Sequence, residues 1–175
     1  MRPSADETRL LHHGPRAAVR SCTGGRPAMG MNHPVDRMLR LWSLPPPDDE
    51  LAALSAFREV YVDPYSVNGE DVPLSALVDR ARMMHAGLTG LRHEVLDRID
   101  SGNRTVLVMR QIGRHTAPLS TQLGTWQPTG VSLERRIIEV ITVEADRLRK
   151  VWVTGDDLGR LIQADAVRLF RPGTE

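Results

Sequence analysis

The residues with the clearest potential for chemistry lie near the end of the chain, where Trp152, Thr154 and Asp156 occur at every second position. In a strand this spacing places the three side chains on one side of the sheet. If that side lines a cavity, burial raises the pKa of the carboxyl group, and such a carboxylate can act as a general base. The alternative is that Asp156 and Asp157 cap a helix that follows the strand.

Histidines form the second group of candidates. His115 ends a predicted strand after Gly113 and Arg114, where an imidazole can donate a hydrogen bond or relay a proton. His93 and His85 lie on predicted apolar faces, so each is either a pocket residue or a packed, hydrogen-bonded core residue.

Several kinds of chemistry lack their usual motifs. The six histidines are dispersed and Cys22 is the single cysteine, so the pattern does not predict a zinc site. The chain has neither a Gly-x-Ser-x-Gly nucleophile turn nor the glycine-rich loops that bind nucleotides. We therefore expect no metal and no cofactor.

Composition indicates an ordinary globular chain of 175 residues, with 41% hydrophobic and 26% charged residues. Its 23 basic and 22 acidic side chains give a formal net charge of +1, which argues against nucleic acid or an anionic membrane as a partner. With one cysteine and no apolar run long enough to span a membrane, the sequence predicts a cytoplasmic protein.

The chain divides into three parts. Residues 1–32 mix arginine, glycine and proline without an apolar period, which predicts a disordered extension. Residues 33–170 carry the periodic patterns of one folded domain, and residues 171–175 are predicted to be a flexible C-terminus.

Helical patterns come first in this domain. Apolar spacing predicts one helix after His33, a second whose N-cap and first-turn acids come from Asp48 to Glu50, and a third after Pro73. The second helix is expected to bury Leu51, Leu54, Phe57 and Tyr61.

Strand patterns follow. Alternation of Leu91, His93, Val95, Asp97 and Ile99 predicts a strand that pairs with residues 105–112. After a loop over residues 116–130, residues 131–144 and 148–154 form a second predicted hairpin. Leu158, Leu161 and Ile162 either form a terminal helix or cover the edge of the sheet.

Helices followed by an antiparallel meander are typical of α+β architecture. The strand at 131–144 is apolar on both sides, with Ile137, Ile141 and Val143 on one and Ile138 and Val140 on the other. Because both sides need cover, we expect a homodimer formed by the outer face of the sheet.

Taken together, several segments over residues 34–168 resemble the SnoaL-like polyketide cyclases of the nuclear transport factor 2-like superfamily. The stretch Gly113 to Thr116 is similar to the family's Gly-x-His-Thr, and Gln127 to Gly130 is similar to its Pro-Pro-Thr-Gly turn. Residues Trp152 to Gln163 match the pattern Trp-x-x-x-Asp-x-x-Gly-x-Leu-x-Gln. The first helix with its tryptophan and the segment Tyr61 to Pro64 extend the likeness.

This resemblance implies a cone-shaped α+β fold, with a strongly curved antiparallel or mixed sheet and three or four helices around one deep pocket, usually in a homodimer. It implies that Asp156 is the acid/base of a cofactor-free intramolecular aldol condensation and that His115 and Trp152 line the pocket and donate hydrogen bonds to the developing oxyanion. Asp63 lies at or beside a position where many relatives carry histidine. The implied substrate is a small hydrophobic compound of the polyketide or terpenoid type.

Two alternatives remain open because one fold supports several reactions. An epoxide hydrolase, isomerase or cofactor-free hydroxylase could use Asp156 to activate water or move a proton, with Asp63, Tyr65 and Arg110 converging on the same pocket. A non-catalytic ligand-binding dimer would instead have Asp156 facing bulk water. Asp157 is expected to matter little for activity in the cyclase reading.

Overall fold

The computed structural model describes residues 33–121 and 124–167. The predicted extension at 1–32 and the predicted flexible end at 171–175 lie outside the described residues. The elements in chain order are α1 (Pro34–Ser43), α2 (Glu50–Val60), β1 (Tyr61–Val67), β2 (Glu70–Val72), α3 (Leu74–Gly87), β3 (Leu88–Ser101), β4 (Arg104–His115), β5 (Leu119–Thr121), β6 (Gly124–Trp126), β7 (Ser132–Glu144), β8 (Arg147–Gly155) and α4 (Asp157–Gln163).

The three N-terminal helices begin where the sequence predicts. Asp49 caps α2 by accepting a hydrogen bond from the Ala52 amide at 2.8 Å. The expected buried face of α2 is partly wrong, because Leu51 is 76% exposed whereas Phe57 is fully buried. Tyr61 is buried as expected, but it starts β1 rather than ending the helix.

The main sheet has six strands in the order β2-β1-β8-β7-β4-β3. All neighbouring pairs are antiparallel except β1 and β8, which run parallel, so the sheet is mixed. Both predicted hairpins, β3-β4 and β7-β8, are present. The α+β fold class is therefore confirmed.

The strands differ from the sequence prediction in several details, among them β1 and β2, for which no strand was predicted. An irregularity between Val95 and Asp97 inserts an extra residue into β3, so Asp97 and Ile99 lie on the opposite face from His93 and Val95. The predicted loop at 116–130 contains the short hairpin of β5 and β6.

One face of the sheet, called the inner face below, packs against α1, α2 and α3. It contributes Leu107 and Met109 from β4 and Ile137 and Ile141 from β7 to a core shared with Phe57 and neighbouring helical residues. A second apolar cluster, with Leu88, Leu133 and Leu161 among its members, lies where α4 meets the ends of the strands. The opposite side of the sheet is called the outer face.

No helix within the described residues is long and apolar enough to cross a membrane.

Candidate active site

A row of polar residues crosses the inner face. His93 of β3 is paired in register with Gln111 of β4, which is paired in turn with Arg135 of β7. Directly opposed residues in antiparallel strands share a face, so all three point the same way. The Gln111 side-chain amide donates to His93 Nε2 at 3.0 Å, and Arg135 donates to Asp157 Oδ2 at 2.8 Å. Along this row, polar side chains take the place of apolar core residues on the inner face.

His93 is uncharged at neutral pH in this row. Burial, together with the nearby His85, lowers the pKa of His93 to about 4. A neutral imidazole accepts the Gln111 hydrogen bond, whereas a protonated ring could not. His93 thus lies on the inner face as a hydrogen-bonded polar residue.

Asp157 joins two arginines at one end of the row. Its second oxygen accepts a hydrogen bond from Arg160 at 3.1 Å, and the Arg160 guanidinium lies 5.2 Å from the centre of the Trp126 ring. Arg135 lies across Gly155 so closely that a β-carbon there would meet the guanidinium at 2.6 Å. Glycine at position 155 is therefore what lets Arg135 reach Asp157.

Glu139 is the carboxylate that the sequence analysis missed. It lies on β7 four residues after Arg135 and on the same face, paired with Leu107 and Val153. Its Oε2 atom is buried without a hydrogen-bond partner among the described residues. Burial raises the pKa of Glu139 to about 7, although the positive charges of Arg135 and Arg80 act in the opposite direction.

The signal for Glu139 was present in the sequence. Glu139 has the same parity along the strand as Ile137, Ile141 and Val143, the residues assigned to one apolar face. A charged residue inside an apolar period is unusual unless it is paired or functional.

Two tyrosines lie close to Glu139 on the same side. The Tyr61 hydroxyl accepts a hydrogen bond from Trp42 Nε1 at 2.6 Å, and the Tyr65 ring contacts the Tyr61 ring at 4.7 Å between centres. Burial and the charge of Glu139 both raise the pKa of each phenol, so each keeps its proton. Within the described part of the chain the Tyr65 hydroxyl makes no hydrogen bond, which leaves it free to donate one.

His115 occupies the far end of the inner face. It is fully buried, and its Nδ1 lies 3.2 Å from the Thr129 hydroxyl. Its ring meets the Trp126 ring edge-on at 6.4 Å, and its Nε2 has no partner among the described residues. Through Trp126 it neighbours Arg160, so His115 borders the polar row rather than the region around Glu139.

The structure separates Asp156 from the pocket wall proposed from sequence. Trp152 and Thr154 do share a side, but it is the outer face, since they are paired with Val140 and Ile138. Trp152 is 51% exposed and lies under the Lys150 amino group at 4.8 Å. The prediction that these two residues line the pocket is wrong, because their valine neighbours on β8 point inward instead.

Asp156 itself leaves the strand and caps α4. Its side chain is exposed and accepts a hydrogen bond from the Gly159 amide at 2.7 Å. This is the helix-capping alternative that the sequence left open. Asp157, expected to matter little, instead holds the two arginines described above.

The three residues expected to converge for epoxide chemistry do not meet. Arg110 is on the outer face, where it pairs with Glu94 and with Glu134. Asp63 accepts a weak hydrogen bond from the Leu74 amide at 3.4 Å, at the start of α3. Of the three, only Tyr65 faces the interior.

Within residues 33–121 and 124–167, no three or more His, Cys, Asp or Glu side chains converge on a point that could hold a metal ion.

Sequence comparisons give no relatives: no protein-family profile and no curated protein matches the chain. Solved structures do match. TsrD from Streptomyces laurentii superimposes with a TM-score of 0.62 at 16% identity, over 77% of this chain and 93% of that one. A protein from Jannaschia sp. CCS1 assigned as a SnoaL-like polyketide cyclase gives 0.60 at 16% identity, over 82% and 100%.

A third match is AclR from Streptomyces galilaeus, assigned as a hydroxylase, with a TM-score of 0.60 at 14% identity, over 79% of this chain and 86% of that one. These likenesses define the class by fold. The chain has the nuclear transport factor 2-like fold of the SnoaL-like polyketide cyclases.

Proposed function

We propose that the protein is a cofactor-independent cyclase that closes a ring in a small polyketide-like or terpenoid carbonyl compound by an aldol-type reaction. The observation that carries this proposal is Glu139, an enclosed carboxylate with an unpartnered oxygen and a pKa of about 7. A group with that pKa can take and return a proton at neutral pH. The fold shared with proteins assigned as polyketide cyclases supports the same reaction class.

In the proposed reaction Glu139 removes a proton from the carbon next to a carbonyl group, which leaves an enolate. The enolate carbon attacks a second carbonyl of the same molecule and forms the new carbon–carbon bond. The resulting alkoxide takes back the proton from Glu139. Tyr65, whose phenol keeps its proton, donates a hydrogen bond to the enolate oxygen.

The apolar residues around this carboxylate support the proposal from a second side. Ile137, Ile141 and Leu107 surround Glu139 on the inner face. Such walls favour a compact conformation of the substrate and bring its two reacting carbons together. They also keep water away from the enolate.

Asp156 is the competing base, since the family resemblance assigns this role to it. Its exposed position and its bond to the Gly159 amide favour a capping role. The two carboxylates can be separated by experiment.

The test uses exchange of a carbon-bound proton, which does not require the natural substrate. The α-carbon protons of α-tetralone exchange with deuterium from solvent when a base removes them, and NMR follows the loss of signal. We expect Glu139→Gln to lower the protein-catalysed rate by roughly 10²- to 10⁴-fold. Glu144→Gln is the matched control, because Glu144 lies on the same strand with its side chain 68% exposed.

Asp156→Asn should leave this exchange rate unchanged. A loss of exchange in Asp156→Asn with full activity in Glu139→Gln would assign the base to Asp156. Exchange no faster than in protein-free buffer would favour the non-catalytic, ligand-binding alternative.

Epoxide hydrolysis is the second candidate, and a specific arrangement favours it. Asp157 is held by Arg135, and Glu139 follows on the same face of β7. One carboxylate could take a proton from water while the water oxygen attacks an epoxide carbon, and the opened alkoxide would then be protonated to give a diol. Mass spectrometry separates the two reactions, because hydrolysis adds one water to the substrate whereas ring closure does not.

A further inference from the structure

Positive charge exceeds negative charge around the polar row. Arg135 and Arg160 share the single carboxylate of Asp157. Arg80 of α3 belongs to the same electrostatic neighbourhood: desolvation and then the positive charge of Arg135 lower its pKa, while Asp157 and Glu139 act in the opposite direction. Glu139 is the other acid nearby, and its raised pKa leaves part of the population uncharged at neutral pH.

Hydrogen-bond donors are also in excess. The Nε atoms of Arg135 and Arg160 are both buried, and neither has a partner among the described residues. Each Asp157 oxygen is already occupied by one guanidinium. Arg160 is only 8% exposed as a residue, so bulk water does not readily supply the missing acceptor. Arg110 on the outer face also has an unpartnered buried Nε, but two carboxylates flank it, whereas Arg135 and Arg160 share one. A buried donor without an acceptor is costly, and this shortage of acceptors points to one that arrives with a ligand.

Arg80 differs from Arg135 and Arg160 in the contacts that its side chain makes. It makes no ion pair within 4.0 Å and no hydrogen bond in the described part of the chain; the residue as a whole is exposed, although its charged end is partly desolvated. A guanidinium of this kind can turn toward an incoming anion without breaking an existing contact. Planar guanidinium groups bind planar carboxylates through two parallel hydrogen bonds.

We propose that this site takes a substrate with a free carboxylate group, which Arg80 and Arg135 bind so that the apolar body of the molecule extends toward Glu139. The substrate would then be a carboxylic acid rather than its neutral ester or amide. The reaction assigned to Glu139 rests on the proposed function, but the carboxylate preference is a property of binding and is measured without turnover.

The experiment compares two ligands of nearly equal shape, 2-naphthoate and 2-naphthamide, by isothermal titration of the full chain at pH 7.5. A charge-assisted pair of hydrogen bonds predicts that the acid binds roughly 10- to 100-fold more tightly than the amide. Arg80→Met should remove most of this preference, and its exposed position makes a loss of folding unexpected. Arg135→Met should remove it as well.

Arg136→Met is the matched control. Arg136 is the next residue of β7 but lies on the outer face, with its side chain 75% exposed, so its removal should leave the preference intact. Equal affinities for acid and amide in the unmodified protein, or no binding of either, would overturn the proposal. So would a preference for the acid that survives in Arg80→Met.

The result of this binding experiment can be distinguished from the result of the exchange experiment that tests the proposed function. Equal affinities for acid and amide in an unmodified protein that exchanges α-tetralone protons normally would exclude the carboxylate site and leave the base assignment standing. A clear preference for the acid in a protein that does not catalyse exchange would support the carboxylate site and argue against Glu139 as the base.

Discussion

The two faces of the sheet differ in how their charged side chains are paired. On the outer face Arg110 lies between Glu94 and Glu134, so both carboxylates have an opposite charge beside them, although the Arg110 Nε atom is buried without a hydrogen-bond partner among the described residues. On the inner face Glu139 has a buried oxygen without a partner, and Arg135 has a buried nitrogen without one. The difference therefore lies in the carboxylates: those of Glu94 and Glu134 are paired, whereas that of Glu139 is not, which is the pattern expected if Glu139 has the role proposed for it.

Two neighbouring residues of β7 show most directly how different the surroundings on the two faces are. Arg135 and Arg136 are identical in chemistry and adjacent in sequence, yet their side chains are 13% and 75% exposed. The alternation of the strand alone produces this difference. A pair of substitutions at successive positions therefore separates the properties of the two faces.

The largest effect on stability is expected for an apolar residue of the inner face. Ile141 is fully buried, so Ile141→Ala should lower the free energy of unfolding by about 2–5 kcal/mol, through lost burial and the cavity that remains. Chemical denaturation monitored by tryptophan fluorescence measures this. Ile138→Ala, on the outer face and 47% exposed, should change it by only about 0.5 kcal/mol when measured on the monomer, below the micromolar concentrations at which we expect a dimer. Similar losses in the two variants would contradict the assignment of the faces.

A smaller effect is expected at the two aspartates that precede and begin α4. Asp157→Asn removes the negative charge that Arg135 and Arg160 share, and we expect a loss of about 1–2 kcal/mol because the pair is half-exposed. Asp156→Asn should cost less than about 0.5 kcal/mol, since asparagine is an equally good helix cap. Thermal unfolding of both variants at one pH tests this order. A larger loss of stability in Asp156→Asn than in Asp157→Asn would show that Asp156 makes the more stabilising contacts, contrary to this prediction.

The prediction with the smallest expected effect on the fold of a single chain concerns self-association. An apolar stripe crosses the outer face through paired residues, namely Ile99, Val106, Val108, Ile138, Val140 and Trp152. We propose that a second copy of the chain covers it, in line with the expected homodimer. Light scattering should report a dimer at micromolar concentration, and Ile138→Asp should give a folded monomer. A monomeric parent protein would contradict the proposal.

Local patterns in the sequence predicted most of the fold. The caps and prolines around α1, α2 and α3 fix the helix starts, and the turn residues at 100–103 fix the β3-β4 hairpin. The parallel pairing of β1 with β8 was not predicted, since it joins segments more than 80 positions apart and leaves no local signal. The extra residue in β3 was missed for a related reason, because a single insertion does not disturb the apparent alternation.

The candidate site was less predictable than the fold. Strand alternation correctly grouped Trp152 with Thr154, but periodicity cannot tell which face of a sheet is covered by helices. Tyr65 and His93 do lie on the inner side. Glu139, Arg135 and Arg80 come together only through the register of β7 with its neighbours and the position of α3, and no spacing within one segment encodes that.

The central claim is that Glu139 is a carboxyl group held ready to exchange a proton near pH 7. Carbon NMR of the protein labelled at the glutamate side-chain carboxyl carbons measures its titration directly, and the resonance that disappears in Glu139→Gln identifies it. We expect a midpoint at about 7, because burial outweighs the positive charges of Arg135 and Arg80. A midpoint close to 4.5, the ordinary value for glutamate, would show a solvated carboxylate and contradict the claim.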